Sequence, residues 1–340
     1  MIRYDIPAQE GQELRQLAEA LAARFPSSED PEFLDQCGYL AQSLPAGLRA
    51  AIYDFRLREP DSGVFILSGV PVDDRKIGPT PSHWKWKEPS SPCLPEEIIL
   101  ALVGSLAGEL IGWATQQDGH IVHDILPIQG HEKEQLGSGS EELLTWHIED
   151  AFHPYRGDYI GLFCLRNPDR VATTVASVRD CRIEGRSREV LSSPRFTIRP
   201  DKSHLPKNRA DQSEPDEFLK RSYQKILEMD SNPDRIPVLF GAPTSPYVRL
   251  DPYFMDLEQL DGESKSALDE LCQEIERGLV DLVLEPGQIL LLDNFRAVHG
   301  RRSFKARYDG NDRWIKRVNI TRDLRKSRES RRTAESRVIY

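Results

Sequence analysis

Cysteine is sparse. The 340 residues hold five, Cys37, Cys93, Cys164, Cys181 and Cys272, an odd number with no CxxC pair. That excludes a disulfide-framed secreted domain and fits reduced thiols in a cytoplasmic protein. Long apolar runs are also missing. The most apolar stretch, Ile98 to Trp113, is interrupted by Glu109 and preceded by Glu96 and Glu97. It is too short and too charged to span a bilayer, so no membrane partner is expected. The N-terminus, Met1-Ile2-Arg3-Tyr4-Asp5, has neither an apolar run nor a cleavage site, so no secretory signal is expected. There is no internal repeat and no low-complexity tract.

What is present is an ordinary globular mixture, 39% hydrophobic and 29% charged. Charge is unevenly spread. Residues 301–340 carry 14 Lys+Arg against 5 Asp+Glu, or +9, within a chain whose net charge is −10. The rest is therefore −19, a poor composition for a general nucleic-acid binder, and no nucleic-acid partner is expected. Oligomeric state is open.

Periodicity predicts an amphipathic helix over 9–25, helix from Glu29 to Leu57, and a buried strand at Ser62–Gly69. The Pro-rich stretch Pro79–Pro95, with Trp84 and Trp86 in it, reads as irregular. Glu96 to Gly112 reads as a buried helix ended by Gly112. Beyond it, short strand-like runs dominate, at 121–125, 143–148, 159–165, 171–178, 236–240, 247–250, 282–284, 289–292 and 314–320. The expected class is mainly β with flanking helices (α+β), a β-sandwich or jelly roll. One domain is expected over 1–340. An N-terminal helical part (1–115) would flank a core (116–325) with a lid loop near 199–216 and an inserted helix at 264–281. A basic extension (326–340) would be either solvated or folded back near the mouth of the site.

The segment that carries chemistry is Leu143-Leu144-Thr145-Trp146-His147-Ile148-Glu149-Asp150. On a strand, residues i and i+2 face the same side, so His147 and Glu149 project together. A histidine and a carboxylate on one face are half of a metal site. Of the eight histidines, His299 stands out, because it follows an apolar strand-like run and precedes Gly300. Two histidines and one carboxylate on one face of an octahedron leave three positions open, the arrangement of non-heme Fe(II) oxygenases. A keto-acid co-substrate would need a cation. Arg313 and Arg317 share one strand face, and arginine suits bidentate carboxylate capture.

HxE, then a distant His with Arg fourteen and eighteen residues beyond it, resembles the Fe(II)/2-oxoglutarate-dependent oxygenases of the clavaminate synthase-like group. Within that group the chain is similar to hydroxylases of free amino acids, notably the arginine hydroxylases of peptide-antibiotic pathways. The resemblance runs from about Glu96 to Arg325. It is carried by Trp146–Pro154, Asp293–Arg301 and the Arg313/Arg317 pair.

The resemblance implies a double-stranded β-helix core, with Fe(II) held by His147, Glu149 and His299. It places Arg313 on the distal carboxylate of 2-oxoglutarate, helped by Thr174 or its neighbour Thr173. Arg317 would hold the substrate's α-carboxylate, with Glu149 also beside the substrate. Gln116 or Gln117 would meet the amino group, and Ser138 or Ser140 would close over it. Asp251 would face a guanidinium, while the second acid of arginine hydroxylases is replaced by Tyr253. The implied reaction is hydroxylation at the β or γ carbon of a free basic L-amino acid, L-arginine first. It consumes dioxygen and 2-oxoglutarate and releases succinate. Lysine, citrulline, asparagine or a carrier-bound amino acid are alternatives, as is desaturation. A non-catalytic cupin-like binding protein is the remote one.

Overall fold

The computed structural model describes residues 1–86, 91–183, 185–206, 209, 211 and 213–340. Parts of two expected features, the irregular stretch at 79–95 and the lid loop at 199–216, fall on 87–90, 207, 208, 210 and 212. They lie outside the described residues, as does the side chain of Trp86.

The N-terminal part is helical because its apolar residues recur every three or four positions. Helix α1 (Ala8–Arg24) buries Leu14, Ala18 and Leu21. The helix expected over 29–57 is two helices, α2 (Pro31–Leu40), capped by Asp30, and α3 (Ala46–Arg58). Pro45 has no N–H to continue the ladder, so the chain breaks between them. A one-turn helix α4 (Asp74–Ile77) precedes α5 (Leu94–Ala107), which is buried on nearly every side. Helix α5 stops at Gly108, not at Gly112 as expected. A side chain at Gly108 would lie 2.3 Å from the Thr321 carbonyl oxygen, so only glycine allows this approach. The next five residues are a strand.

The strands form two main sheets and a hairpin. The larger sheet runs β1 (Ile2–Asp5), β2 (Val64–Ser68), β11 (Ile289–Asp293), β6 (Tyr159–Arg166), β13 (Trp314–Thr321), β3 (Glu109–Trp113), β14 (Val338–Ile339), with β4 (Val122–Ile125) also on β13. The smaller runs β10 (Val280–Val283), β7 (Ala172–Ser177), β12 (Ala297–Arg301), β5 (Leu144–His147). The hairpin joins β8 (Leu239–Ala242) and β9 (Ser245–Val248). Thus β2, the strand expected at Ser62–Gly69, and β1, which was not anticipated, extend the larger sheet from the N-terminal part.

The two sheets face each other across a layer that includes Ile160, Leu162, Leu290 and Leu292 from one and Val175 and Leu282 from the other. Helices α1, α2, α3 and α5 cover the outer side of the larger sheet. Helices α6 (Gly185–Leu191), α7 (Glu217–Ser231) and α8 (Gly262–Gly278) contribute to the core behind the smaller. Helix α7 was not anticipated, although Asp216 caps it through Leu219 N–H.

Strand β13 divides its side chains between two compartments. Trp314, Val318 and Ile320 join the helix-side core, where buried Lys316 bonds Glu97 of α5 at 2.7 Å. Arg313, Ile315 and Arg317 face the cavity between the sheets. The basic tail folds back. Val338 and Ile339 pair in parallel with Gly112 and Trp113. Arg332 pairs with Asp216 and lies over the rings of Phe218 and Tyr340, so the tail grips α7. No helix among the described residues is long and apolar enough to cross a membrane.

Candidate active site

Strands β5 and β12 are hydrogen-bonded neighbours, and His147 and His299 are direct register partners. That pairing brings two residues 152 positions apart in the chain to a ring separation of 4.7 Å. Glu149 follows β5. Its Oε2 lies 3.6 Å from His147 Nε2 and 3.4 Å from His299 Nε2. Donors at about 2.1 Å and at right angles around one ion would be about 3 Å apart, so the three fit one octahedral face. His147 Nδ1 donates to the Thr145 carbonyl at 2.7 Å, which leaves Nε2 free as a ligand.

Burial opposes charge on His147, yet Glu149 and Asp251 hold its pKa up at about 9. For Glu149, burial is outweighed by Arg317 and both histidines, which hold it well below the usual carboxylate range. Burial lowers His299. A divalent cation would bind His147 with Nε2 deprotonated.

Glu149 is fixed through its backbone. Asn294 is fully buried. Its Oδ1 accepts from Glu149 N–H at 2.9 Å, and its Nδ2 donates to the carbonyls of Glu149 and Gly157 at 3.0 Å each. Ile148 N–H donates to the Leu250 carbonyl at 2.8 Å, which ties the HxE segment to the turn carrying Asp251.

Both arginines of this strand face are buried in the cavity. Arg317 donates to Glu149, to Gln116 Oε1 at 2.8 Å and to His123 Nδ1 at 2.7 Å. His123 sits opposite it in register on β4 and donates from Nε2 to the His120 carbonyl, so its neutral tautomer is set. Arg313 is nearly bare. It donates to Thr173 Oγ1 at 3.3 Å, and among the described residues no carboxylate pairs with it. Burial lowers its pKa to about 10. Arg301 lies close by, lowered to about 9 first by burial and then by Arg313. Arg301 spends both terminal nitrogens on the carbonyls of Gly139 and Glu142, so Arg313 is the open fork for an anion and Arg301 adds positive charge beside it.

The cavity is about 250 Å³. Asp251, beside His147, lines it together with two residues of the 199–216 stretch, Asp201 and Ser203. Asp251 is buried, and burial pushes its carboxyl up to about 6, with Asp201 adding to the rise. Gln116 Nε2 donates to Ser203 Oγ at 2.7 Å. Tyr253, 49% exposed, stands at the rim.

The structure brings His147, Glu149, His299, Arg313, Arg317, Gln116, Ser138 and Asp251 to one cavity. Thr174 is a correction. It faces away, its Oγ1 where a side chain on Gly300 would stand, while Thr173 lines the cavity and meets Arg313. Adjacent residues of a strand point to opposite faces, so only one of the two can reach in. Ser138 lines the cavity and bonds His131, whereas buried Ser140 does not line it. Gln117 also lines the cavity, but its amide is spent on the backbone of Asp124. Asp201, Ser203, Arg301 and Asn294 were missed. Arg301, two residues beyond His299 on the same strand face, was findable by the i, i+2 rule.

The family model described as "Taurine catabolism dioxygenase TauD, TfdA family" matches residues 99–319. The chain is 47% identical to the L-ornithine/L-arginine 3-hydroxylase of Catenulispora acidiphila, with all of both chains covered. It is 46% identical to the enduracididine beta-hydroxylase of Streptomyces hygroscopicus, over 95% of each. Among solved structures it is similar to the non-heme iron oxygenase OrfP in complex with iron, succinate and (3S)-hydroxy-L-Arg, at a TM-score of 0.94 and 44% identity over 100% of both chains. OrfP is also solved with iron and alpha-ketoglutaric acid.

Proposed function

The chain belongs to the TauD, TfdA dioxygenase family, and on that premise we propose that it hydroxylates a free basic L-amino acid, arginine or ornithine, at carbon 3. It is an Fe(II)/2-oxoglutarate-dependent amino-acid hydroxylase with a double-stranded β-helix core. We read 1–340 as one oxygenase unit, since the N-terminal part and the tail both add strands to the larger sheet.

The observation that carries the substrate reading is the polarity of the cavity. A carboxylate clamp, Arg317 with Gln116, lies on the Glu149 side of the triad. An acid, Asp251, lies on the His147 side, with a second, Asp201, near enough to raise its carboxyl. A free amino acid with a cationic side chain has the complementary ends. Asp201, from the polar stretch, supplies the second acid that Tyr253 does not. The buried Arg317 also favours a free substrate over a carrier-bound one, whose carboxylate is masked as a thioester.

His147, Glu149 and His299 would hold the iron. Iron with 2-oxoglutarate and dioxygen supplies the oxidising power for C–H cleavage, as the keto acid is decarboxylated to succinate. The chain's own residues do the rest. Arg313 and Thr173 receive the distal carboxylate of 2-oxoglutarate, with the charge of Arg301 close by. Arg317 exchanges its bond to Glu149 for the substrate carboxylate, and Gln116 Oε1 accepts from the substrate ammonium. Asp251 and Asp201 take the side-chain cation and so fix which carbon faces the triad. Ser138 and Ser203 help to exclude water.

Purified protein with Fe(II), 2-oxoglutarate and a panel of amino acids including ornithine, citrulline and enduracididine tests this by product mass. A gain of one oxygen on arginine or ornithine is expected. A loss of two hydrogens would mean desaturation. No product from any basic amino acid would refute the reading.

A further inference from the structure

We propose that His204 is a positioning residue, an anchor that holds Asp201 and Ser203 over the substrate end of the cavity. The proposal rests on the amino-acid reading above. Residues 199–216 are polar and rich in Asp, Lys, Pro and Ser, and His204 is their only histidine. Its side chain is 0% exposed, an unusual place for an imidazole in such a stretch.

The socket that receives it is built from other segments of the chain. His204 Nδ1 lies 2.7 Å from Thr115 Oγ1, and Nε2 lies 3.2 Å from Asp150 Oδ1. The ring meets Phe152 edge-on at 5.0 Å and Trp113 at 5.9 Å. Asp150 is itself oriented. It takes a left-handed φ of 51°, accepts from Trp113 Nε1 at 2.6 Å, and accepts from Asn319 at 3.3 Å. Both ring nitrogens are engaged, so the contact is directional and not merely apolar.

The flanking residues show what the anchor does. Asp201 caps the short turn by accepting from Ser203 N–H at 2.7 Å, and its other oxygen lies 3.7 Å from His204 Nε2. Ser203 then meets Gln116. With the imidazole seated, Asp201 and Ser203 have one position each relative to Asp251 and Gln116. Without it, the turn has no other buried side chain among its described neighbours from Asp201 to Pro206. Asp150 directly follows Glu149, so the same contact joins the substrate cover to the metal-binding segment.

The test compares His204→Ala, Thr115→Val and the partial mimic His204→Gln in the full chain. Steady-state kinetics, the ratio of hydroxylated product to succinate, and hydrogen exchange over 199–206 are read for each. His204→Ala is expected to raise KM for the amino acid at least tenfold while KM for 2-oxoglutarate stays within twofold. Product per succinate should fall, exchange over 199–206 should rise, and His204→Gln should restore part of each. If the Ala variant does not fold, His204→Phe keeps the ring contacts and removes both polar ones. Unchanged amino-acid KM and coupling, with a loss confined to thermal stability, would overturn the proposal. So would equal rises in both KM values. The exchange measurement needs no substrate, so the anchor stands or falls on it even if no amino acid is turned over.

Discussion

Arg313 is a guanidinium in waiting, and its replacement by methionine should move stability and binding in opposite directions. It is buried, holds one 3.3 Å contact to Thr173, and lies near a second buried arginine, Arg301. Burial lowers it from 12.5 to about 10. Each pKa unit is about 1.4 kcal/mol, so the folded, ligand-free chain carries roughly 3 kcal/mol against this charge. Neutral pH lies below the folded-state value, so the whole penalty is present there and is relieved only as pH rises through it. Arg313→Met removes the charge and keeps most of the volume. Replacing a buried charge with an apolar group typically stabilises by roughly 1–3 kcal/mol. The ligand-free variant should therefore melt a few degrees higher. The same change removes a charge-assisted pair to 2-oxoglutarate worth about 2–3 kcal/mol, a rise in its KM on the order of 30- to 150-fold. The assay is thermal melting with and without Fe(II) and 2-oxoglutarate under anaerobic conditions, paired with succinate formation against co-substrate concentration. A variant that melts lower when ligand-free, with an unchanged KM, would refute the account of Arg313 as an unpaired anion receptor.

Asp251→Asn should raise KM for a cationic amino acid about 10- to 100-fold and leave 2-oxoglutarate unaffected. Because burial lifts the Asp251 carboxyl to about 6, wild-type affinity for that substrate should hold above this pH and weaken as pH falls through it, a dependence the Asn variant should lack. Thr173→Val should raise KM for 2-oxoglutarate a few-fold, whereas Thr174→Val should not; the reverse result would restore the discarded assignment. Asn294→Ala leaves three backbone groups around Glu149 without partners, and iron affinity by equilibrium titration should fall about 10- to 100-fold with the fold retained by circular dichroism.

The metal and carboxylate groups were legible because they lie on strands or within two residues of a strand end, where the strand phase is readable. His147 and Glu149 two apart, and Arg313 and Arg317 four apart, must share faces whatever packs around them. Thr174 failed for the opposite reason. Strand β7 is buried on both sides, so Ala172–Ser177 shows no polar alternation to mark which face meets the cavity. The helix boundary at Gly108 was missed because only Gly108 and Glu109 part the apolar residues of α5 from those of β3, and periodicity cannot separate two buried elements. Asp201, Ser203 and His204 were invisible for a third reason. Their partners, Thr115, Gln116, Asp150 and Asp251, are distant in sequence, and a polar loop gives no pattern that names a partner.

Strand β13 is bonded along both edges, to β6 on one side and to β4 and β3 on the other; Arg317 is seated in that lattice and Arg313 directly precedes it. Asp201, Asp251 and Tyr253 instead sit on connecting segments outside the named strands. The half of the site that grips the two carboxylates, of co-substrate and of amino acid, is thus hard to alter without disturbing the sheet, and the half that meets the side chain is cheap to alter. Descendants of this scaffold should diverge in the amino acid they accept long before they diverge in the co-substrate they consume. A designer seeking a new hydroxylation target should vary positions 201, 251 and 253 together and leave 313 and 317 alone.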